Sequence, residues 1–379
     1  MLAVHVVPHD LSRFAESSGD LNPLHLDADY ASRSGFGAEV VQGALTVLHA
    51  LAGLSAEDAA VVRRVRARFH AAVYSAQAYA LDVRRAENGS VRLELSDGGQ
   101  PIATVDVELG DTGGPVVGAV RVGSGERRRQ AADRAPAELH TGQCLPISYR
   151  SDPGDFADLL GRIGSGVREE VARLLGWASY LAGMEVPGRQ SLISSLTVEF
   201  DPAATGDGSI QVAAVDERRD LVRFDGALPG LGRAELAVVA RAVPAEPDAH
   251  VLAAALAGQD VDLEGRVAVL TGGSRGFGAA FAAALALRGA HVYVTHRRDP
   301  GFPPDLLAGL GTAAGRVHAV RSDAADPAEC ARPIPPSAPG CASTCSRRRA
   351  GWTSWCSTRS RASSRWCRGR TPPIVPPST

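Results

Sequence analysis

An aspartate, an asparagine and a histidine, Asp20, Asn22 and His25, fall within six residues around Pro23. A carboxylate and an imidazole held this close can share proton transfers near neutral pH. Pro23 fixes its own φ and pushes Asn22 toward an extended backbone, so residues 14–25 are predicted to form a rigid turn rather than a regular helix. The same residues also have a purely structural use, because Asp and Asn are ordinary turn and helix-capping residues. A second stretch with chemical potential is Thr271-Gly272-Gly273-Ser274-Arg275-Gly276-Phe277-Gly278. Glycines of this density let a backbone approach a phosphate closely at a helix N-terminus.

The elements that must position these residues follow from periodicity. Gln42-Gly43 precedes an apolar helix predicted over 43–53, and strand-like runs follow at 65–75, 78–86, 90–96 and 102–109. Asp97-Gly98-Gly99 is a hairpin signal between the last two. Residues 1–112 therefore read as one α+β unit and 113–140 as a linker, marked by Gly113-Gly114-Pro115 and the charged run 125–133. Residues 141–245 repeat the pattern: an amphipathic helix over 168–184, stopped by Pro187-Gly188, then strands at 191–200, 209–215, 221–228 and 234–243. Its counterpart of the first motif, 149–166, carries Asp152, Asp155 and Asp158 but no histidine. From 262 to 329 the pattern changes to a strand at 266–270, the glycine-rich loop, a helix at 279–288 and a second strand at 291–295, which is a βαβ opening.

Phe14-Ala15, Ser18-Gly19-Asp20, Asn22-Pro23, His25, the Gly-Phe-Gly at 35–37 and Gly43 opening an apolar helix together resemble the active-site signature of the MaoC-like, type 2 enoyl-CoA hydratases. The resemblance implies a double hotdog, in which two sheets join into one and two long helices pack together. It implies a 2-enoyl or 3-hydroxyacyl thioester on CoA or acyl-carrier protein as substrate. Asp20 and His25 would position and deprotonate water for addition at C3, or run the reverse dehydration, with Asn22 orienting the pair. The backbone N–H of Gly43, at a helix N-terminus, suits the developing enolate oxygen. The chain departs from the family at Gln42, where the family usually has His; Gln hydrogen-bonds but exchanges no proton near pH 7. The second half is expected to lack chemistry and to help form an acyl tunnel or to serve as plain structural support.

The loop at 271–278 resembles the Thr-Gly-x-x-x-Gly-x-Gly fingerprint of short-chain dehydrogenases. The implied cofactor is NADP, held by Gly272, Ser274, Arg275, Gly276, Phe277 and Gly278, with Arg297 suited to the 2′-phosphate and Asp323 to the adenine. These dehydrogenases need a Tyr and a Lys four residues on, and this chain has no Lys and no Tyr after Tyr293. The reductase domain is therefore predicted to be inactive, a truncated Rossmann-type (doubly wound) unit with a vestigial site. Back-translation of 352–359 one base earlier contains Leu-Asp-Val-Leu-Val-Leu-Asn-Ala, the next strand expected of such an enzyme, so 330–379 reads as a frameshift product.

Charge patterning agrees with that division. The net charge is −2, yet 331–379 hold nine Arg and no acid, leaving −11 for the rest. Five of six Cys and three of four Trp lie from 330 onward. Cys341 and Cys345 could form half a metal site and the tail a nucleic-acid arm, but the composition favours disorder. No metal, nucleic-acid or membrane partner is expected; a homodimer is compatible with the fold. No run of 18 apolar residues and no signal-like N-terminus occur, so a cytoplasmic location is expected. The reading is a hydro-lyase of fatty-acid or polyketide metabolism. Its alternatives are a non-catalytic acyl-binding protein and a 3-oxoacyl thioester reductase by ancestry.

Overall fold

The computed structural model describes residues 2–87, 89–110, 118–241, 247–296, 302–323 and 326–330. They divide into two compact units, with the boundary in the chain between Val243 and Pro244. The tail and Arg297 lie outside the described residues.

The first unit opens with β1 (Leu2–His5), α1 (Pro8–Ser18), the single turn α2 (Pro23–Leu26) and α3 (Ala28–Arg33). Then come α4 (Gly43–Leu51), α5 (Ala56–Ala60), β2 (Val62–Phe69), β3 (Ala78–Arg85), β4 (Val91–Asp97) and β5 (Gln100–Leu109). Asp97 pairs with Gln100 across a two-residue turn in which Gly98 and Gly99 have φ of 54° and 82°. Two positive φ values make the primed turn whose twist matches a hairpin.

The second part of the unit contains β6 (Val120–Val122), β7 (Cys144–Leu145), β8 (Tyr149–Ser151), α6 (Ala157–Ile163) and α7 (Glu169–Tyr180), which continues as a π-helical turn over Leu181–Glu185. It ends with β9 (Ser191–Phe200), β10 (Ile210–Asp216), β11 (Leu221–Leu228) and β12 (Gly232–Ala240). One ten-stranded sheet runs β1-β3-β4-β5-β2-β9-β12-β11-β10-β7, all its pairs antiparallel. Its two sides mirror each other about the β2–β9 seam, where Arg64 faces Glu199 and Arg68 faces Ser195. Period-two alternation turns Val65 and Ala67 of β2 inward, with Val62 brought to the same side by an irregularity before Arg64, and Leu196, Val198 and Phe200 of β9. Between Ala44 and Leu51 every residue of α4 is buried, and α7 is buried from Glu170 to Tyr180. α4 is apolar nearly all round, as a core helix should be; α7 buries Glu170, Arg173 and Ser179 among its apolar residues, and the two helices pack on each other.

Two expectations need correction. Residues 14–25 are not one rigid turn: α1 continues to Ser18, Gly19 closes it at φ 78°, and His25 rides on α2, for which Pro23 is the first residue. Nor is 118–140 a bare linker. Val120–Val122 pairs with Tyr149–Ser151, and Ala132 N–H donates to Met184 O at 2.8 Å. Arg128 and Arg134 reach the buried Glu185 at 2.7 and 3.3 Å. A carboxylate this buried needs paired charge, and the arginines of this stretch supply it.

The second unit contains α8 (Ala249–Leu256), β13 (Val267–Thr271), α9 (Gly276–Leu287), β14 (His291–His296), α10 (Pro304–Gly309), β15 (Val317–Arg321) and α11 (Pro327–Cys330). Its three strands are parallel, in the order β13-β14-β15. Leu270, Val292 and Val294 pack with the alanines of α9.

Candidate active site

Asp20, His25 and Gly43 line one cleft with Val40, Phe69, Ser179 and Gly183. The cleft encloses about 490 Å³, part of it open to solvent. Several elements converge on it: the segment from Asp20 into α2, the start of α4, the end of β2 and the residues after it, the end of α7 and the start of β9.

Each polar group has a local cause. Gly19 ends α1 and turns the chain, and Ser18 Oγ accepts from Asp20 N–H at 3.1 Å. Asp20 Oδ1 accepts from Asn22 N–H at 3.2 Å, and Asp20 Oδ2 accepts from Ser179 Oγ–H at 2.6 Å. Asn22 is buried and caps α2, its Oδ1 accepting from Leu24 N–H at 3.1 Å, while its Nδ2 donates to Ser191 Oγ at 3.3 Å. It does not line the cleft; it fixes the backbone from which Asp20 and His25 project. His25 Nδ1 lies 2.6 Å from Val40 O. A carbonyl only accepts, so Nδ1 carries the hydrogen and Nε2 of the neutral ring is left with its lone pair.

Burial sets the charge states. Desolvation raises the Asp20 pKa, opposed by His25, by the Ser179 hydroxyl and by the Asn22 N–H. Desolvation lowers that of His25, opposed by Asp20 and the Val40 carbonyl and reinforced by Arg241. Burial thus favours the neutral forms of both groups, moving the Asp20 carboxyl up toward neutrality and the His25 imidazole down from its usual range. Gly43 begins α4, so its N–H is among those a helix leaves without an intrahelical partner. A Cβ there would come within 3.1 Å of the Phe69 ring, and one at Gly183 would lie 2.1 Å from Asp20 Oδ1. Both glycines are therefore dictated by close approach.

Sequence reasoning brought Asp20, Asn22, His25 and Gly43 to one region. It missed Ser179, Gly183 and Ser191, all from the second half. Gln42, expected beside the reacting groups, is wholly buried and points away: its Nε2 donates to Leu11 O at 3.3 Å. Asp152, Asp155 and Asp158 pair with Arg121, Arg127 and Arg13, so the second half's counterpart of the motif is a set of ion pairs.

Residues 2–101 match the family described as MaoC like domain. The solved structure of a MaoC-like dehydratase aligns with 62% of this chain and 95% of its own, at 16% identity and a TM-score of 0.43. A Streptomyces lividans protein named "Probable oxidoreductase" is 43% identical over 66 residues, 17% of this chain and 22% of its own length. L-Rhamnose 1-dehydrogenase (NADP(+)) of Thermoplasma acidophilum is 35% identical over 72 residues, 19% of this chain and 28% of its own length. The chain spans about a quarter of the length of these curated relatives, and their likeness falls on its C-terminal part.

In that part, Gly272 and Gly276 have φ of 74° and 51°, and a Cβ at Gly278 would lie 2.4 Å from Gly272 O. A Cβ at Gly273 would lie 2.7 Å from Val294 Cγ1. The turn needs these four glycines to place α9 against the sheet. Ser274 is half-buried, while Arg275 and Phe277 are exposed, and Asp323 follows β15. Among the described residues there is no cluster able to hold a metal ion and no helix long and apolar enough to cross a membrane.

Proposed function

We propose that the first unit is a double-hotdog hydratase/dehydratase acting on 2-enoyl and 3-hydroxyacyl thioesters of CoA or acyl-carrier protein. One observation carries this reading: the carboxyl group of Asp20 and the ring of His25, its Nδ1 held by the Val40 carbonyl, face the same cleft as the N–H at the start of α4.

The chemistry follows from the groups. Water held between Asp20 and His25 gives up a proton to the pair as its oxygen bonds to C3. The C2–C3 π electrons move onto the thioester as an enolate, whose oxygen accepts from Gly43 N–H at the helix N-terminus. The pair returns the proton to C2, so water is added across the double bond with no net change in the enzyme. Dehydration is the same path reversed. Ser179 and Asn22 hold Asp20, and the Val40 carbonyl holds the ring of His25. Apolar Val40, Phe69 and Ile193 exclude bulk water, which strengthens each of these interactions.

Hydration of a crotonyl thioester by the full chain tests the reading. Asp20→Asn and His25→Ala should each lower the rate by about 10²–10⁴-fold. Activity that survives both substitutions refutes the site, and an inactive wild type favours a non-catalytic acyl-binding protein. For the second unit we propose reductase ancestry. The loop 272–278 fits a pyrophosphate, its glycines clearing the backbone ahead of α9. Bound NADP would supply hydride there. The sequence contains no Lys for the accompanying proton transfer, so no turnover is assigned, and NADPH-dependent reduction by this chain would contradict that.

A further inference from the structure

We infer that Arg241, contributed by the second half, is a positioning residue of the hydration site, bracing the segment that carries His25 and holding a fixed positive charge against its imidazole. The inference rests on the hydratase reading above.

Arg241 directly follows β12. Its backbone N–H donates to Gln190 O at 2.8 Å, and its Nη2 donates to Arg189 O at 2.7 Å. Its guanidinium carbon lies 5.9 Å from the centre of the Phe36 ring, and a guanidinium N–H donates to the Tyr30 hydroxyl. The Tyr30 hydroxyl also accepts from Gln190 Nε2 at 3.0 Å. Tyr30 and Phe36 pack on Leu24, Ala31 and Val40, and it is the Val40 carbonyl that holds His25 Nδ1. The neighbouring Ser191 grips Asn22. Arg241 and Ser191 thus fasten the α2–α3 segment to the second half at two points.

The charge is as informative as the bracing. Arg241 is half-buried and has no carboxylate partner among the described residues. Its Nε is buried without a hydrogen-bond partner among them. Asp133 is taken by Arg189 at 2.5 Å, and Asp20 by Ser179. An uncompensated half-buried cation is costly and is better explained by a use than by stability. Two charged groups act on His25 beside the larger effect of burial: Asp20, which favours the imidazolium, and Arg241, which opposes it more weakly. Ser179, Gly43, Thr46 and Phe69, on the other elements lining the cleft, are neutral. Burial holds His25 toward its neutral form, and Arg241 adds to that against the pull of Asp20, helping to keep the ring open to a proton from water. Arginine suits the task because it stays charged at every working pH.

The test is an NMR titration of the His25 ring in the full-length wild type, Arg241→Lys, Arg241→Met and Arg241→Gln, with the resonance assigned by its loss in His25→Gln. Arg241→Met and Arg241→Gln should move the midpoint to higher pH while Arg241→Lys leaves it near wild type. The acidic limb of kcat/KM for a crotonyl thioester should move in the same direction. Gln keeps hydrogen-bonding capacity without charge, so it decides the matter if the Met variant does not fold. An unmoved midpoint in the neutral variants, or an equal shift in all three, overturns the inference. A wild type that hydrates nothing overturns the hydratase reading instead, and the ring titration still decides the role of Arg241.

Discussion

Helices α4 and α7 occupy mirrored places in the first unit and run into the same three residues, Leu51-Ala52-Gly53 and Leu181-Ala182-Gly183. What the two glycines face is different. Gly183 stands against the Asp20 side chain, whereas a Cβ at Gly53 would meet Leu81 Cδ2 at 2.6 Å, Ala50 O at 3.2 Å and Leu2 Cδ1 at 3.4 Å. Two residues before each Leu stand His49 and Ser179. Ser179 donates to Asp20 in an open cleft. His49 is buried, 3.5 Å from Asp10, which also pairs with Arg162 at 3.2 Å. One scaffold is thus used twice, once around a polar cleft and once around packed leucines and an ion-paired cluster. Fold repetition alone does not duplicate a site; the groups lying against the end of the helix decide it.

The sharpest way to break this comparison is at the glycines. Gly183→Ala would drive a methyl into Asp20, and a displacement of about 1 Å at reacting groups costs about 10²-fold in rate. Gly53→Ala meets the ends of two leucine side chains and the Ala50 carbonyl, none of them in the cleft, so it should cost about 1–3 kcal/mol of stability with the rate retained. Equal loss of thioester hydration in both variants would contradict the distinction.

Next in size is the acid side of the stability profile. Burial depresses the pKa of His25 and of His49. Below about pH 6.5 the unfolded chain takes up protons that the folded chain refuses, so stability falls with pH. Denaturant melts from pH 8 to 5 should show that fall, and His49→Gln should flatten it. An unchanged slope would mean that His49 is not held neutral by its surroundings. At Asp20 the sign is reversed. A raised native pKa means that stability contributed at low pH is lost as pH rises through it, so Asp20→Asn should melt higher than wild type at pH 8.

The smallest effect is expected at Gln42. It points into the core with its Oε1 unpartnered among the described residues. Removing a buried polar group of that kind is close to neutral, so Gln42→Leu should stay within about 1.5 kcal/mol of wild type. Hydration should persist in it; a lost rate with a normal melt would return Gln42 to the site.

The contrast between the halves also explains what was legible in the sequence. Asp20, Asn22 and His25 stand together in the chain because one turn of helix, opened by Pro23 and capped by Asn22, presents them. Their spacing is local and can be read. Ser179 lies 159 positions from Asp20 and Ser191 lies 169 from Asn22. Nothing in their surroundings marks them, because the packing of α7 and the start of β9 against the first half creates the contact. Gln42 misled for the opposite reason. Adjacency to Gly43 suggested adjacency to the site, but at a helix start the backbone N–H and the preceding side chain point to different places. Arg128 and Arg134 read as a solvated linker, since the buried Glu185 that they neutralise lies beyond the next helix.

The most direct test of a site built by both halves is a double-mutant cycle in crotonyl thioester hydration, using wild type, Ser179→Ala, Asp20→Asn and the double variant. A hydrogen bond to a charged group is worth about 1.5–3 kcal/mol, so Ser179→Ala should slow the wild type roughly ten- to a hundredfold. It should also move the acidic limb of the rate profile to higher pH, because the hydroxyl favours ionised Asp20. In the Asp20→Asn background the same substitution should change almost nothing. An equal effect of Ser179→Ala in both backgrounds, or none in either, would contradict a site in which the second half works through Asp20.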